Sequence, residues 1–395
     1  MLDFLKDVRI ISFTHFLFGP MGVQSLADLG ADVIAVEPLS GSFQRGWGAE
    51  GNKMVDGQSV LFLSVDRNKR SIAVDLKSPR GHEITRKLLA KADVLVTNYR
   101  PGVLDKLGFG YNELKQENPA LIYAAASGYG PDGPYVKRPG QDLLIQALTG
   151  LAAINGPKET GPRPVGLSAV DHHGAALLAL GIVTALFRRE RTGQGCRVDI
   201  SLLTAALDLQ MEPLVSYLNG QRPASVTPPK YIGGFHYEAP YGIYPTLDGH
   251  IAISLTSLKT LNEALLSEDL AAFDDSENFE KREEIAECIA RAVQTKSGAE
   301  WQELFTKHGI WHQPVNDYAA VAEDPQVRHN NCLLTVEGAT GSDITLVNHP
   351  IRYDGEAPEV RLPPQPIGAQ AGEILRELGY SDSEIDQFRQ EKVVG

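Results

Sequence analysis

Asp171 stands in the run Ser168-Ala-Val-Asp-His-His-Gly174, directly ahead of a long stretch of small and apolar residues. Two uses fit an aspartate there. It can cap the following helix, because its side chain accepts the backbone N–H groups that a first turn leaves orphaned. The same terminus can hold an ionised carboxylate ready as a nucleophile, and the two uses are compatible. His172 and His173 come next but are adjacent, whereas a metal pair on a helix needs a spacing such as i, i+4, so no metal site is expected. A second aspartate, Asp142, follows Lys137-Arg-Pro-Gly-Gln141 at the start of another helical stretch and has the same capping use. Gly233-Gly234, with Phe235 and His236, lies in a long connection that is either flexible linker or a source of backbone N–H groups for a developing oxyanion.

Binding chemistry concentrates elsewhere. Arg67 to Lys106 holds ten basic residues (Arg67, Lys69, Arg70, Lys77, Arg80, Arg86, Lys87, Lys91, Arg100, Lys106) and four acidic ones, in a chain whose net charge is −13. Such an island either steers a polyphosphate ligand or decorates a helix and two loops. Asn98-Tyr-Arg-Pro-Gly102 closes a candidate strand at its carboxyl end, the edge where open α/β sheets bind ligands. Its amide, aromatic face and cation suit a nucleotide, and Pro101 equally suits a strand-ending turn. The first βα turn, His15 to Gly22, lacks G-x-G-x-x-G, and no G-x-x-x-x-G-K-[ST] occurs, which disfavours a conventional NAD or ATP site. Glu37 ends the second strand where a ribose-binding acid would sit, but without those glycines.

The elements that must carry these residues are set by periodicity. Short β-branched runs at Val8–Phe13, Val33–Glu37, Ser71–Leu76, Val94–Thr97 and Leu121–Ala125 alternate with helical patterns at Met21–Leu29, Gly81–Lys91 and Tyr111–Glu117. That is the arithmetic of βαβ units on a parallel sheet. Helices are then expected at Asp142–Ile154, His172–Arg189 and Leu202–Asn219, the last after a strand near Arg197–Ile200. The apolar run Gly174–Phe187 spans about 21 Å as a helix against a bilayer core of roughly 30 Å, so a buried core helix is expected, and no membrane partner. The expected organisation is a large α/β domain over 1–219, a linker and glycine loop over 220–240, a smaller α/β domain over 241–328 opened by a hairpin at Asp248-Gly249, and a segment over 329–395. The acidic balance opposes nucleic acid as a partner. Three cysteines in unrelated contexts, and charges interrupting the first residues, point to the reducing cytoplasm.

Taken in order, Ala27-Asp-Leu-Gly-Ala-Asp-Val-Ile34 with Glu37, Arg45-Gly-Trp47, Asn68-Lys-Arg-Ser-Ile72, Asn98-Tyr-Arg-Pro-Gly102 with Leu107-Gly-Phe109, Ser127-Gly-Tyr-Gly130, Gln146-Ala-Leu-Thr-Gly150, Arg191-Thr-Gly-Gln-Gly195, Ala239-Pro-Tyr-Gly242 and Leu375-Arg-Glu-Leu-Gly379 resemble the class III (CaiB/BaiF) CoA-transferases over nearly the full length. The resemblance implies a Rossmann-like large domain, a smaller α/β domain, a C-terminal return to the large one, and two ring-like subunits threaded into an interlocked homodimer. It implies an enzyme that moves CoA from an acyl-CoA donor, such as succinyl-CoA or acetyl-CoA, to an organic (di)carboxylic acid. Asp171 matches the nucleophile, which passes through a mixed anhydride and an aspartyl-CoA thioester. No cofactor is bound permanently; the CoA thioester is a substrate.

Motif by motif, Val74, Lys77, Asn98, Tyr99, Arg100 and Lys106 match CoA-contact positions, and Asp142 a frequently acidic position near the active site. His15 and Gly233-Gly234 match the entrance turn and the glycine loop, with His172, His173 and His236 as candidate acyl-pocket residues or structural groups. Leu17 replaces a glutamine of the formyl-CoA branch and Pro38 an arginine, and the glycine loop is short, which argues against oxalate and formate. The related 2-methylacyl-CoA racemases carry Gly-His-Asp where this chain has Gly140-Gln-Asp142, and glutamine cannot shuttle a proton. That alternative, and a non-catalytic CoA-binding protein, remain the competing readings.

Overall fold

A computed structural model describes residues 2–47, 51, 53–220 and 222–395; Gln221, inside the expected linker, lies outside them. Six strands, β1 (Arg9–Phe13), β2 (Asp32–Glu37), β3 (Lys69–Ala73), β4 (Val94–Thr97), β5 (Ile122–Ser127) and β6 (Arg197–Ser201), form one sheet in the order β3-β2-β1-β4-β5-β6. Every neighbouring pair is parallel. The inner strands read as continuous apolar runs because both faces are covered: all four residues of β4 are buried. The strand order reverses between β1 and β4, and their carboxyl ends open the crevice where such sheets take ligands.

Four helices set the positions of the candidate residues: α1 (Phe18–Asp28), α2 (Pro79–Ala90), α3 (Asp142–Thr149) and α4 (Ala169–Thr192). Ser78 caps α2 by accepting the Gly81 N–H at 3.0 Å, and Gly193, at φ +66°, ends α4 in the left-handed region. Helix α4 lies on α1, where a side chain on Gly174 would come within 2.9 Å of the Phe18 ring, so only glycine permits that approach. The helix expected to be buried is buried on one side only. Val170, Ala175, Leu178 and Ile182 face inward, while Leu180 (62%) and Phe187 (58%) are exposed.

The chain divides into two compact units, Met1–Ile145 with Ser168–Ala206 and Pro325–Gly395, and Gln146–Leu167 with Leu207–Asp324. Residues 146–167 and 207–219, expected in the first, thus cluster with the second. The expected helix Leu202–Asn219 is two, Leu202–Leu209 and Met211–Asn219. Pro213 explains the break: it has no N–H for the Leu209 carbonyl, and its ring clashes there. The second unit carries an antiparallel sheet of β7 (Gly242–Pro245), β8 (His250–Ile253) and β9 (His312–Pro314), packed on helices through Tyr244, Trp301 and Phe305.

The C-terminal stretch belongs to the first unit, where Ile374, Leu375, Phe388 and Val394 join the sheet's core and the Gly395 N–H reaches the Ala73 carbonyl at 3.1 Å. Asn68 is its anchor. At φ +59°, its side-chain oxygen accepts the Arg361 and Leu362 N–H groups (2.7 and 3.0 Å), and its amide donates to Asp28 (2.7 Å) and the Glu359 carbonyl (3.1 Å). A hairpin in the same stretch pairs β10 (Leu333–Glu337) with β11 (Asp343–Val347).

Candidate active site

His15 follows β1 and Asn98 follows β4, so the two meet at the reversal of strand order. Asn98 accepts the His15 N–H (2.9 Å) and donates to the His15 carbonyl (2.7 Å), tying the two turns together. The imidazole of His15 lies 5.4 Å from the Tyr99 ring and 5.0 Å from Phe16. Burial pushes its pKa down, which keeps the ring neutral at pH 7. Phe16 sits at φ +61°, held by its N–H to Gln44 Oε1 (3.0 Å), and contacts Phe43. Phe43 (53% exposed) and Trp47 (51%) extend this aromatic surface. Of that surface, His15, Tyr99 and Trp47 stand in motifs that the sequence singles out, whereas Phe16 and Phe43 have no periodic signal separating them from core.

Asp142 and Asp171 meet in the same unit. Ser168 occupies the N-cap of α4 but makes no side-chain capping bond, and Asp171 stands in the first turn instead of at the cap. The cap comes from Asp142. Its Oδ2 accepts the N–H of Val170 at 2.7 Å and of Asp171 at 3.1 Å. Asp142 thus caps α4 as well as opening α3, a long-range pairing that local spacing cannot reveal. Burial first, and the Asp142 charge second, push the Asp171 carboxyl up to about 7. Near neutral pH the group is therefore close to half-ionised. His172 is pushed down by burial, partly countered by Asp142.

The basic island resolves into two populations. Seven of its ten cations are engaged internally: Arg67 with Asp28, Lys69 with Asp66, Arg70 with Asp32 and Glu377, Arg80 with Glu391, Arg86 with Glu113 and Glu117, Lys87 with Glu83, and Lys91 with the Glu377 carbonyl. Of the two readings of the island, the structural one describes these seven, because carboxylates from α1, β2 and the C-terminal stretch, among others, fold onto them. Lys77, Arg100 and Lys106 differ: they are exposed and pair with no carboxylate among the described residues. Val74 offers no side-chain surface, being 1% exposed in the core, with its N–H given to the Glu37 carbonyl (2.8 Å). Glu37 is not a ribose ligand either: it is buried, in a bidentate pair with Arg45 at 2.6 Å on each oxygen.

Beside Tyr99 and Arg100, a cavity of about 550 Å³ covers one face of β4 to β6, lined also by Tyr111, Tyr123, Arg197 and Asp199. Arg197 is held by Asp199 at 2.9 Å, which leaves Arg100 as the cation at that wall with no ion pair among the described residues. In the second unit, the Gly233 N–H is given to the Tyr241 carbonyl (2.9 Å), so it is not free for an oxyanion. His236 Nε2 lies 3.3 Å from Glu212, which also accepts the Tyr237 hydroxyl at 2.6 Å. Gly234 sits against the rings of His236 and Tyr237.

Comparison with known proteins decides the family. Residues 5–371 match the model of CoA-transferase family III. The chain belongs to CoA-transferase family III. It is 34% identical over 395 residues to the succinyl-CoA:glutarate CoA-transferase of Mus musculus, covering 97% of this chain and 88% of that one. It is 32% identical to the acetyl-CoA:oxalate CoA-transferase of Acetobacter aceti, covering 93% of each. A crystal structure of a CaiB/BaiF family protein from Brucella suis superposes with a TM-score of 0.81 at 28% identity, covering 94% of this chain and 98% of that one. The mixed α/β fold with a parallel central sheet is that of the CaiB/BaiF proteins, and the chain is a class III CoA-transferase.

Proposed function

We propose that this enzyme transfers CoA from an acyl-CoA donor to a dicarboxylic acid with Asp171 as nucleophile. One observation carries the assignment: a half-buried carboxyl, pushed up to about 7, in the first turn of a helix anchored beside the ligand edge of the sheet. A carboxylate that is well solvated is a weak nucleophile; one that burial has already destabilised loses less on attack.

The steps balance without any further group. An Asp171 oxygen attacks the thioester carbonyl, the C–S bond breaks, and CoA thiolate leaves a mixed anhydride. The thiolate then attacks the Asp171 carbonyl of that anhydride, releasing the donor acid as its carboxylate and leaving aspartyl-CoA. The acceptor carboxylate attacks the aspartyl-CoA carbonyl and expels thiolate, which finally attacks the acceptor's carbonyl and frees Asp171 as a carboxylate. Lys77, Arg100 and Lys106 supply the cations for the CoA phosphates, and Asn98, Tyr99 and His15 shape the crevice wall. Two of the similar chains are named for succinyl-CoA with glutarate and for acetyl-CoA with oxalate, which supports a short dicarboxylate as acceptor here. A second copy of the chain covers the exposed apolar face of α4, Leu180, Val183 and Phe187, as a homodimer. The three free cysteines suit a reducing compartment, the cytoplasm.

Intact mass after mixing with a panel of acyl-CoAs, followed by hydroxylamine or borohydride trapping, tests the mechanism. An adduct on Asp171 that appears with one or two donors and is lost in Asp171→Ala is expected. CoA binding without any adduct, or exchange of the α-proton of a 2-methylacyl-CoA, would replace this reading with the binder or the racemase.

A further inference from the structure

Gly140 approaches the backbone of Gly128 so closely that a side chain on it would lie 2.6 Å from the Gly128 α-carbon. Gly128 follows the last residue of β5, so this contact pins Gly140-Gln-Asp142 to the carboxyl edge of the sheet. From there the buried Asp142 carboxylate reaches across to α4 and takes the two N–H groups that Ser168 leaves uncapped. One of those N–H groups belongs to Asp171 itself. The backbone of the nucleophile is therefore clamped by a charge from another helix, where an ordinary cap would use the neighbouring serine.

We infer that Asp142 is a positioning residue of the transfer reaction: it fixes the first turn of α4 and, through its negative charge, disfavours the free Asp171 carboxylate relative to every acylated form of Asp171.

This role presupposes the function proposed above and comes from charge counting. Free Asp171 is an anion beside an anion. The mixed anhydride and the aspartyl-CoA thioester are both neutral at that carboxyl, so forming either relieves the repulsion. An interaction that is unfavourable in the free enzyme and absent after attack lowers the barrier to attack. Helix α1 brings Phe18 and Gly22 against this end of α4, β6 brings Val198 and Ile200 further along it at Gly181, all without charge, β5 also packs on it, and α3 brings Asp142. On α4 itself the titratable neighbours are His172 and His173, and His172 is held toward its neutral form. Asp142 also consumes the N–H groups of Val170 and Asp171, and the His172 N–H goes to the Ser168 carbonyl at 3.1 Å, so this helix terminus is not an oxyanion hole. Its role is confined to holding the nucleophile.

Two substitutions separate the halves of the inference. Asp142→Asn keeps an oxygen for both N–H groups and removes the charge; Asp142→Ala removes both. Hydrogen exchange of a peptide covering residues 168–172 reads the clamp without any chemistry. The pH dependence of single-turnover labelling of Asp171 by acyl-CoA reads the charge. Asp142→Asn is expected to keep wild-type exchange, to shift the pH midpoint of labelling down, and to slow labelling above that midpoint about tenfold with little change in acyl-CoA affinity. Asp142→Ala is expected to speed exchange at 168–172 at least tenfold. Wild-type exchange in the Ala variant would overturn the clamp, and an unmoved pH midpoint in the Asn variant would overturn the electrostatic role. If wild-type enzyme itself gives no label on Asp171, the proposed mechanism fails, while the exchange result still decides whether Asp142 clamps the helix.

Discussion

Replacing Asp171 with asparagine should stabilise the protein at alkaline pH. Its carboxyl is raised from 3.8 to about 7, and each tenfold change in proton affinity corresponds to about 1.4 kcal/mol, so the ceiling is about 4 kcal/mol. The sign comes from linkage: with the folded-state pKa above the unfolded one, the contribution to stability is fully present below about pH 4 and is lost as pH rises through 7. Above pH 8 the folded wild type holds an anion that burial and Asp142 both oppose. The positive end of α4 offsets part of this, by about 0.3–1 kcal/mol, which leaves roughly 3 kcal/mol. Asparagine has nearly the same shape and no charge to desolvate. For a chain of this size the gain is about 4 °C in Tm at pH 8, shrinking toward zero near pH 4. Thermal unfolding of both proteins across that range, by calorimetry, gives the difference directly. A variant that is equally or less stable at pH 8, or a gap that does not change with pH, would refute the claim that Asp171 is a strained carboxylate.

Three further outcomes are expected. Asn68→Ala strips four hydrogen bonds to two distant segments and should lower stability by about 2–4 kcal/mol, seen as lost secondary structure at lower urea concentration. Lys77→Ala and Lys106→Ala should each weaken acyl-CoA binding about five- to tenfold, with a shallower salt dependence and unchanged Tm, because neither lysine has a carboxylate partner to abandon among the described residues. Phe187→Glu, on the exposed face of α4, should lower the Tm of the homodimer while leaving its secondary structure at room temperature unchanged, because it places a charge in a face that a second copy covers.

The sheet was legible because buried parallel strands announce themselves as apolar runs; β4 matches its expected span to the residue, Val94–Thr97. What escaped depended on one residue or on distant partners. Pro213 splits an expected helix whose apolar pattern runs on through it. Strand β10 alternates exposed and half-buried residues and has meaning only against β11. For the site, Asp171 was legible as a cap and candidate nucleophile and Asp142 as a cap near the expected active site, but nothing local showed that Asp142 caps the helix that carries Asp171. Composition could show that Arg67–Lys106 is basic, yet not that Asp28, Asp32 and Glu377 would come back to neutralise much of it.

That division of charges also says why the site lies where it does. A buried cation is tolerable only when paired, so each arginine or lysine that the fold draws inward acquires a carboxylate and ceases to be available to a ligand. Lys69, at 3% exposure, shows the limit: it donates to Asp66 and to the Pro20 and Val65 carbonyls, and burial still pushes its pKa down. Lys77, Arg100 and Lys106 stay exposed because they lie in the segments that leave β3 and β4 at their carboxyl ends, at the rim of the sheet. A phosphate arriving there meets cations that no described carboxylate has already neutralised. Asp171, in the same unit, is placed the opposite way: its charge is opposed by burial and by the neighbouring Asp142. Binding charge and reactive charge are thus both left unsatisfied, for opposite reasons. Under the proposed mechanism, the first waits for a partner that the substrate brings, and the second is set beside a like charge so that acylation relieves it.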